Sequence, residues 1–323
     1  MNAWDIFYKN IISQNLVKDG DKVLLGVSGG ADSMCMLHLF WRLAKKINIK
    51  ILAVNLNHGL RKESVKEAKL VADVCKKFKI ACALGEIAVK QRAKDLKISI
   101  ETAARQLRYA AFEKIANEQK FNKVATAHNA NDNAETVLMW LIRGSGNFEG
   151  IPQTRKLSKK VEVVRPLLAV ERNLIDKYVK TQKIPFCTDK SNFSFEYTRN
   201  KIRHSVVPAL EKINPAVIER IFSLSKIQER ENAYLEEISI KFAKKCVKTA
   251  KNRILLDLPM FLRYNEALKY RILKSIMPAQ KYAVQIDAVM QKILLSDKTP
   301  LKLTGGWVFT IKNKKAVFEN KAH

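Results

Sequence analysis

Hydrophobic and polar residues follow two different patterns along the chain. In the first part, short apolar runs alternate with longer segments in which apolar residues recur every three or four positions. This alternation predicts an α/β fold, a doubly wound parallel sheet with helices on both faces. The predicted strands span residues 23–28, 51–57, 81–87 and 124–128, and the predicted helices span residues 31–47, 62–79 and 101–119.

The second part of the chain lacks that alternation. It follows Asn214 and Pro215, and its pattern predicts helices and a terminal hairpin that turns at residues 313–314. We therefore predict two domains, residues 1–215 with the sheet and residues 216–323, which are smaller and mainly helical. The later predicted helices span residues 198–210, 216–248, 259–276 and 285–295.

A glycine pair stands where the first predicted strand meets the first predicted helix, in the segment SGGADS at residues 28–33. A buried strand that turns sharply into a helix leaves backbone N–H groups unpaired, which suits a phosphate or pyrophosphate. Gly29 and Gly30 allow the bend, and Ser28 and Ser33 add hydroxyl donors. The segment is neither a Walker A loop nor a dinucleotide-binding glycine turn. An ordinary strand-to-helix turn is the alternative.

Polar residues also follow the second and fourth predicted strands, at the same edge of the predicted sheet as the glycine loop. His58 and Arg61 follow the second strand, in either a polar turn or a loop that faces a nucleotide or substrate. After the fourth strand, Asp132 and Glu135 predict a capping pair that opens a helix. Capping does not explain His128, so we predict that His128 faces the same crevice as the loop.

Arginines on two predicted helices are candidate phosphate ligands. Glu101, Arg105 and Arg108 share one helix face by their spacing, and Arg199 and Arg203 lie four residues apart on a later helix. A guanidinium binds phosphate oxygens in two-pronged fashion. The alternative for the first group is an exposed ion pair worth under about 1 kcal/mol.

The charge of the chain favours a polyanionic partner. Lysine and arginine total 59 against 31 acidic residues, a net charge of +28, which indicates nucleic acid. No apolar run approaches the ~18 residues that cross a bilayer, and the first residues do not resemble a signal peptide, so we predict a cytoplasmic protein without a membrane partner. No two of the five cysteines have C-x-x-C spacing, which argues against a disulfide framework, a structural zinc or an iron–sulfur cluster.

The glycine loop resembles the pyrophosphate-binding loop of the N-type ATP pyrophosphatase (PP-loop) superfamily, whose members cleave ATP between its α and β phosphates. Further motifs, in the same order, resemble the tRNA(Ile)-lysidine synthetase family over roughly residues 20–215. The matching motifs are SGGADS at 28–33, NHGLR at 57–61, ETAARQLRY at 101–109, TAHNANDNAET at 126–136, RGSG at 143–146, RPLL at 165–168, DKSN at 189–192 and YTRNKIR at 197–203.

The resemblance implies a reaction and its partners. ATP adenylates the C2 oxygen of the wobble cytidine in an isoleucine tRNA with a CAU anticodon, and the ε-amine of L-lysine then displaces AMP to form lysidine. The tRNA then decodes AUA instead of AUG. ATP and Mg²⁺ are the implied cofactors, with Mg²⁺ near Asp32, and a homodimer is left open.

The resemblance also assigns roles to residues of this chain. The implied nucleotide-binding residues are Ser28, Gly29, Gly30, Ala31, Asp32, Ser33 and His58. The implied catalytic residues are Asp32, Arg105, Arg108, His128 and Asp132. Arg105 or Arg108 would stabilise the α-phosphate, Asp132 or Asp32 would accept the lysine proton, and His128 would orient the cytidine or assist proton movement.

The candidate tRNA-binding residues lie in both predicted domains, and the second is predicted to bind tRNA. They are Arg61, Arg199, Asn200, Arg203, Lys241, Lys244, Lys245 and Lys248. The four lysines recur at helical spacing, for which a solvated helix face is the alternative. Two other functions stay open: a different PP-loop enzyme, such as a tRNA thiolase or an amide-forming synthetase, and a basic RNA-binding protein with a vestigial ATP site.

Overall fold

The structure is a computed structural model that describes residues 1–57, 63–144, 148–188, 198–277 and 283–320. The chain divides into two compact units, Met1–Gln228 and Glu229–His323, and the division falls inside one long helix. The domain assignment to residues 1–215 and 216–323 stays a prediction. In the described part of the chain, no helix is both long enough and apolar enough to cross a bilayer.

The first unit contains a six-stranded sheet with the order β3-β2-β1-β4-β6-β5. Its strands are β1 (Lys22–Gly26), β2 (Lys50–Asn57), β3 (Ala81–Glu86), β4 (Lys123–Ala125), β5 (Thr154–Lys156) and β6 (Glu162–Val164). All neighbouring pairs are parallel except β5 and β6, which are antiparallel. The predicted α/β class and the four predicted parallel strands are confirmed. The pattern did not predict β5, because its three residues are all exposed and polar.

Helices connect and cover these strands. They are α1 (Ala3–Ser13), α2 (Ala31–Leu43), α3 (Glu63–Phe78), α4 (Val89–Leu96), α5 (Ile100–Glu118), α6 (Ala130–Ile142), α7 (Arg172–Thr181), α8 (Thr198–Lys201), α9 (Val207–Ile213) and the start of α10 (Val217–Cys246). The predicted helices α2, α3 and α5 are confirmed, whereas α1, α4 and α7 were not predicted. The predicted single helix over 198–210 is interrupted by a π-helical segment, Ile202–Val206.

The centre of the sheet is apolar up to the point where the glycine loop begins. Val23, Leu24 and Leu25 of β1 are fully buried between helices on the two faces. At Gly26, the end of β1, a Cβ would come within 2.7 Å of the Phe112 ring. Any larger residue would have to displace this buried ring, and β1 therefore ends directly beside it.

The second unit combines helices with a five-stranded antiparallel sheet of order β7-β8-β11-β10-β9. Its further elements are β7 (Val247–Ala250), β8 (Arg253–Asp257), α11 (Leu258–Leu262), α12 (Glu266–Ile276), α13 (Ala283–Leu294), β9 (Leu301–Lys302), β10 (Trp307–Lys312) and β11 (Lys315–Asn320). The predicted hairpin is confirmed as β10 and β11. Asn313 and Lys314 at its turn both have positive φ, as a two-residue hairpin turn of type I′ requires.

Candidate active site

The glycine loop between β1 and α2 presents backbone N–H groups at the start of a helix. Gly29 has a φ of +92°, which glycine adopts without strain, and Gly30 is the N-cap residue of α2. Ser33 Oγ accepts a hydrogen bond from the Ser28 N–H at 3.2 Å and donates one to the Gly30 carbonyl at 2.9 Å, which fixes the loop. Within the described residues, the N–H groups of Gly29 and Gly30 have no hydrogen-bond partner. This arrangement suits an anion.

The loop forms part of the wall of a cavity of about 460 Å³, called here the loop cavity. Polar residues after β4, arginines of later helices and a few apolar side chains complete the wall. The lining residues are Gly26, Val27, Ser28, Gly30, Asp32, Ser33, Val54, Leu56, Arg108, Phe112, Thr126, Ala127, His128, Asp132, Arg172, Arg199 and Arg203. The volume is in the range of pockets that hold small ligands and cofactors.

Asp32, the second residue of α2, is held by two donors. Asn129 Nδ2 donates a hydrogen bond to its Oδ1 at 3.1 Å, and Arg172 Nη1 donates one to its Oδ2 at 2.8 Å. Burial raises the pKa of Asp32 to about 6; Arg172 opposes this rise and nearby Asp132 adds to it. The Asp32 carboxylate is therefore a stronger proton acceptor than an ordinary aspartate.

Two acids of α6 and two arginines form an ion-pair cluster at the cavity. Glu135 is only 1% exposed and accepts hydrogen bonds from Arg199 Nε at 2.7 Å and Arg203 Nε at 2.6 Å. Asp132 Oδ1 accepts one from Nη2 of each arginine, both at 3.1 Å. Each arginine thus bridges both acids, so loss of either acid leaves guanidinium groups without full compensation.

The start of α6 differs from the predicted capping pair. Asn129 is the N-cap residue, and it forms a reciprocal capping box with Asp132, whose N–H and carboxylate both bond to Asn129 at 3.0 Å. Glu135 does not take part in the cap and binds the two arginines instead. The predicted Asp132–Glu135 capping pair was wrong, because Asn129 and Asp132 have the same three-residue spacing and form the cap.

His128 lines the loop cavity as a neutral group. Burial lowers its pKa to about 4; the Asp132 carboxylate opposes this effect, and Arg165 adds to it. His128 Nδ1 lies 3.0 Å from Thr126 Oγ1, which fixes the ring orientation. At neutral pH the imidazole can therefore orient a ligand by hydrogen bonding, but it carries no charge.

The two arginines predicted on α5 occupy different environments. Arg108 lines the loop cavity, and burial lowers its pKa. Arg105 is exposed and does not line the cavity; its Cζ lies 5.2 Å from the centroid of the Tyr109 ring. Arg155 Cζ lies 4.6 Å from the centroid of the same ring, so the Tyr109 ring contacts the guanidinium groups of both arginines.

Other predicted residues lie elsewhere or outside the described part of the chain. His58 and Arg61 are outside the described residues, and Asn200 lies in α8 next to Arg199. The sequence did not single out Arg172 as a site residue, because it begins a helix that was not predicted. The remaining polar lining residue, Thr126, follows β4.

The predicted lysine stripe is only partly helical. Lys241, Lys244 and Lys245 are exposed on α10, whereas Lys248 lies in β7 and is not on the helix. The chain leaves the helix after Cys246 because residues 247–250 pair with β8. Within the described residues, no group of three or more His, Cys, Asp and Glu side chains could hold a metal ion.

Comparisons with known proteins connect this geometry to a family. The PP-loop domain family matches residues 5–210. A tRNA(Ile)-lysidine synthase from Thermosipho africanus is 43% identical over 65% of this chain and 48% of its own length. Another, from Clostridioides difficile, is 37% identical over 84% of this chain and 59% of its own length. The chain thus spans about half to three fifths of the length of these curated relatives.

One solved structure shares the fold. The U34-tRNA thiolase NcsA from Methanococcus maripaludis superposes with a TM-score of 0.59 at 20% identity, over 70% of this chain and 78% of that chain. This likeness shows the same arrangement of sheet and helices.

Proposed function

The chain belongs to the PP-loop family, and from this premise we propose that it is an ATP-dependent ligase that joins L-lysine to the wobble cytidine of an isoleucine tRNA with a CAU anticodon. The observation that carries the proposal is the loop cavity. It combines an anion-binding loop with Asp32, His128 and Asp132, as adenylyl transfer to a nucleobase followed by amine attack requires. Relatives that are 43% and 37% identical to this chain over the aligned residues carry the name tRNA(Ile)-lysidine synthase.

In the first step, the C2 oxygen of the cytidine attacks the α-phosphorus of ATP. The bond to the β-phosphate breaks and pyrophosphate leaves. The free N–H groups of Gly29 and Gly30, with the positive end of α2, hold the departing pyrophosphate. Arg108 lines the same cavity and stabilises charge on the α-phosphate. Arg105 is better placed to support Tyr109 than to reach the nucleotide.

In the second step, the lysine ε-amine attacks C2, the C2–O bond breaks and AMP leaves with the oxygen. The amine must lose a proton, and its ordinary pKa is ~10.4. Of the two candidate acceptors, Asp32 fits better, because its pKa is raised to about 6. Asp132 is engaged by two arginines and its own helix cap. The neutral His128 orients the cytidine.

Mg²⁺ fits the loop cavity because the Asp32 carboxylate lines it. Burial raises the pKa of Asp32 only to about 6, so this carboxylate is ionised at neutral pH. Mg²⁺ is commonly held by one or two carboxylates together with phosphate oxygens. Asp32 would help to hold the ion in the first step, where the ion would neutralise charge on the phosphates. The role of Asp32 as proton acceptor belongs to the second step, after pyrophosphate has left.

The remaining partners follow from the same proposal. The tRNA contacts exposed cations of both units, among them the α10 lysines, and the enzyme acts in the cytoplasm.

Lysine transfer to tRNA tests the proposal directly. The protein is incubated with ATP, Mg²⁺, labelled lysine and the CAU isoleucine tRNA, and in parallel with elongator methionine tRNA, which has the same anticodon. We expect label in the isoleucine tRNA only, with one AMP and one pyrophosphate formed per lysine. Absence of label from both tRNAs, or ATP consumption that needs a sulfur donor or glutamine and not lysine, would overturn the proposal.

A further inference from the structure

A second cavity, of about 430 Å³, lies at the C-terminal end of α2, and none of its lining residues lines the loop cavity. It is called here the aromatic cavity. Its lining residues are Trp4, His38, Trp41, Arg42, Lys45, Lys46 and Gln182. Arg42 is ten residues after Asp32, so the two sites are about 15 Å apart along the helix at 1.5 Å per residue.

Two cations of the aromatic cavity are held against tryptophan rings. Arg42 Cζ lies 4.2 Å from the centroid of the Trp4 ring, and Lys45 Nζ lies 3.5 Å from that of Trp41. Such contacts between a cation and a ring face restrain side chains that would otherwise be mobile. The positive charges therefore have fixed places before any ligand arrives, which lowers the entropic cost of binding.

Both tryptophan rings contact other aromatic rings as well as cations. Trp4 stacks on Tyr8 with centroids 5.5 Å apart, and Trp41 packs against Phe78 with centroids 4.7 Å apart. These contacts occupy part of the ring surface that a base could stack on. Lys46 Nζ lies 5.6 Å from the Tyr8 ring. The cavity is consequently built to bind a phosphate by its cations and not a base by its rings.

His38 adds a neutral donor to these cations. Arg42 Nη1 donates a hydrogen bond to the Tyr178 hydroxyl oxygen at 3.1 Å, and this hydroxyl lies 2.8 Å from His38 Nδ1. Arg42 leaves the proton of this hydroxyl free to donate to Nδ1, and the matching tautomer of the neutral imidazole carries its proton on Nε2. Burial, with Arg42 and Lys45, lowers the pKa of His38 to about 4, so the ring is neutral. Among the described residues, no protein group accepts from Nε2.

We propose that the aromatic cavity binds a backbone phosphate of an RNA chain whose reacting nucleotide lies in the loop cavity. Every charged residue that lines it, in the part of the chain that the structure describes, is a cation. The net charge of +28 indicates a polyanion and not an isolated small ion. The choice of RNA rests on the proposed function, whereas the choice of a phosphate rests on the cavity itself.

The salt dependence of RNA binding tests this inference. Affinity of the full-length chain for the CAU isoleucine tRNA is measured over a series of salt concentrations, for the wild type and for the double variant Lys45→Gln/Lys46→Gln. Loss of one phosphate contact lowers the slope of log K against log salt by about 0.7–0.9. The matched control is Lys159→Gln/Lys160→Gln, a second pair of adjacent exposed lysines in the same unit. We expect a reduced slope for the first variant only.

The outcomes separate this inference from the proposed function. Equal slopes for the two double variants would overturn it. Thermal stabilisation of the wild type by millimolar inorganic phosphate, lost in Lys45→Gln/Lys46→Gln without a change in slope, would show a site for free phosphate and would also overturn it. Binding needs no turnover, so a reduced slope together with failure of lysine transfer would support the RNA contact and reject the proposed function alone.

Discussion

The loop cavity and the aromatic cavity lie along one helix and attract negative charge by different means. In the loop cavity, Arg199 and Arg203 are paired with the buried Glu135, and backbone N–H groups of the glycine loop are free to bind an anion. In the aromatic cavity, Arg42 and Lys45 rest on ring faces, and no acid lines it among the described residues. Buried ion pairs hold catalytic groups in fixed positions, whereas cations without neighbouring acids leave a net positive charge that can bind an anionic ligand. The loop cavity is therefore suited to catalysis, and the aromatic cavity is suited to binding.

The sharpest test of this contrast is Asp32→Asn. We expect transfer of lysine to tRNA to fall about a thousandfold, because the change removes the carboxylate that accepts the proton of the lysine amine. Lysine transfer is measured at saturating ATP, lysine and tRNA. The matched control is Asp95→Asn, which changes an exposed aspartate of α4 and should leave the rate unchanged. Similar rates for both variants would contradict the role given to Asp32.

Glu135→Gln tests the buried ion pairs of the loop cavity. Removing the charge leaves two arginines without their shared buried partner, so we expect the free energy of unfolding to fall by about 3–5 kcal/mol. Urea denaturation measures it. Glu162→Gln serves as the comparison, because Glu162 pairs with Lys123 and its side chain is 35% exposed; there we expect at most about 1 kcal/mol. Equal losses would show that burial is not the deciding factor.

The raised pKa of Asp32 predicts a dependence of stability on pH. The pKa of about 6 in the folded chain exceeds the ordinary aspartate value of 3.8, so the folded state binds the proton more tightly than the unfolded state. The wild type should lose stability as pH rises through this interval. Asp32→Asn has no charge to bury, and by pH 7 it should be more stable than the wild type by on the order of 1–3 kcal/mol. Denaturation at pH 5, 6 and 7 measures the difference; a constant difference would contradict the burial of this charge.

The smallest expected effect is on turnover in Lys45→Gln/Lys46→Gln. If the aromatic cavity serves only attachment, kcat at saturating tRNA stays within about twofold of the wild type, while KM for tRNA rises. The reason is that binding energy equal in ground and transition states changes KM and not kcat. A large fall in kcat with unchanged KM would contradict the assignment of the aromatic cavity to binding alone.

Local patterns predicted the parts of the fold and of the loop cavity that lie close together in sequence. The apolar run 23–25 and the glycines after it determine a strand, a turn and a helix start within a dozen residues. Arg172 gave no such signal. Its helix α7 is mostly polar, and the helix forms because Ile175 and Val179 are buried against other parts of the chain.

The aromatic cavity could not be predicted from the sequence. Trp4, Trp41 and Gln182 come from three distant segments, and only the packed fold brings them together. In the second unit, β7 was predicted as part of a helix because helical spacing continues past Cys246 to Lys248. Pairing of this segment with β8 overrides that local preference.

Helices α2 and α7 are bonded to each other at two levels, by Asp32 with Arg172 near the glycine loop and by Tyr178 with His38 and Arg42 near the aromatic cavity. A shift of either helix is therefore shared by both sites. By thermodynamic linkage, if RNA binding changes the affinity for ATP through this helix pair by some factor, ATP binding changes the affinity for RNA by the same factor. The effect of RNA on ATP affinity and the effect of ATP on RNA affinity are thus two measurements of one coupling free energy.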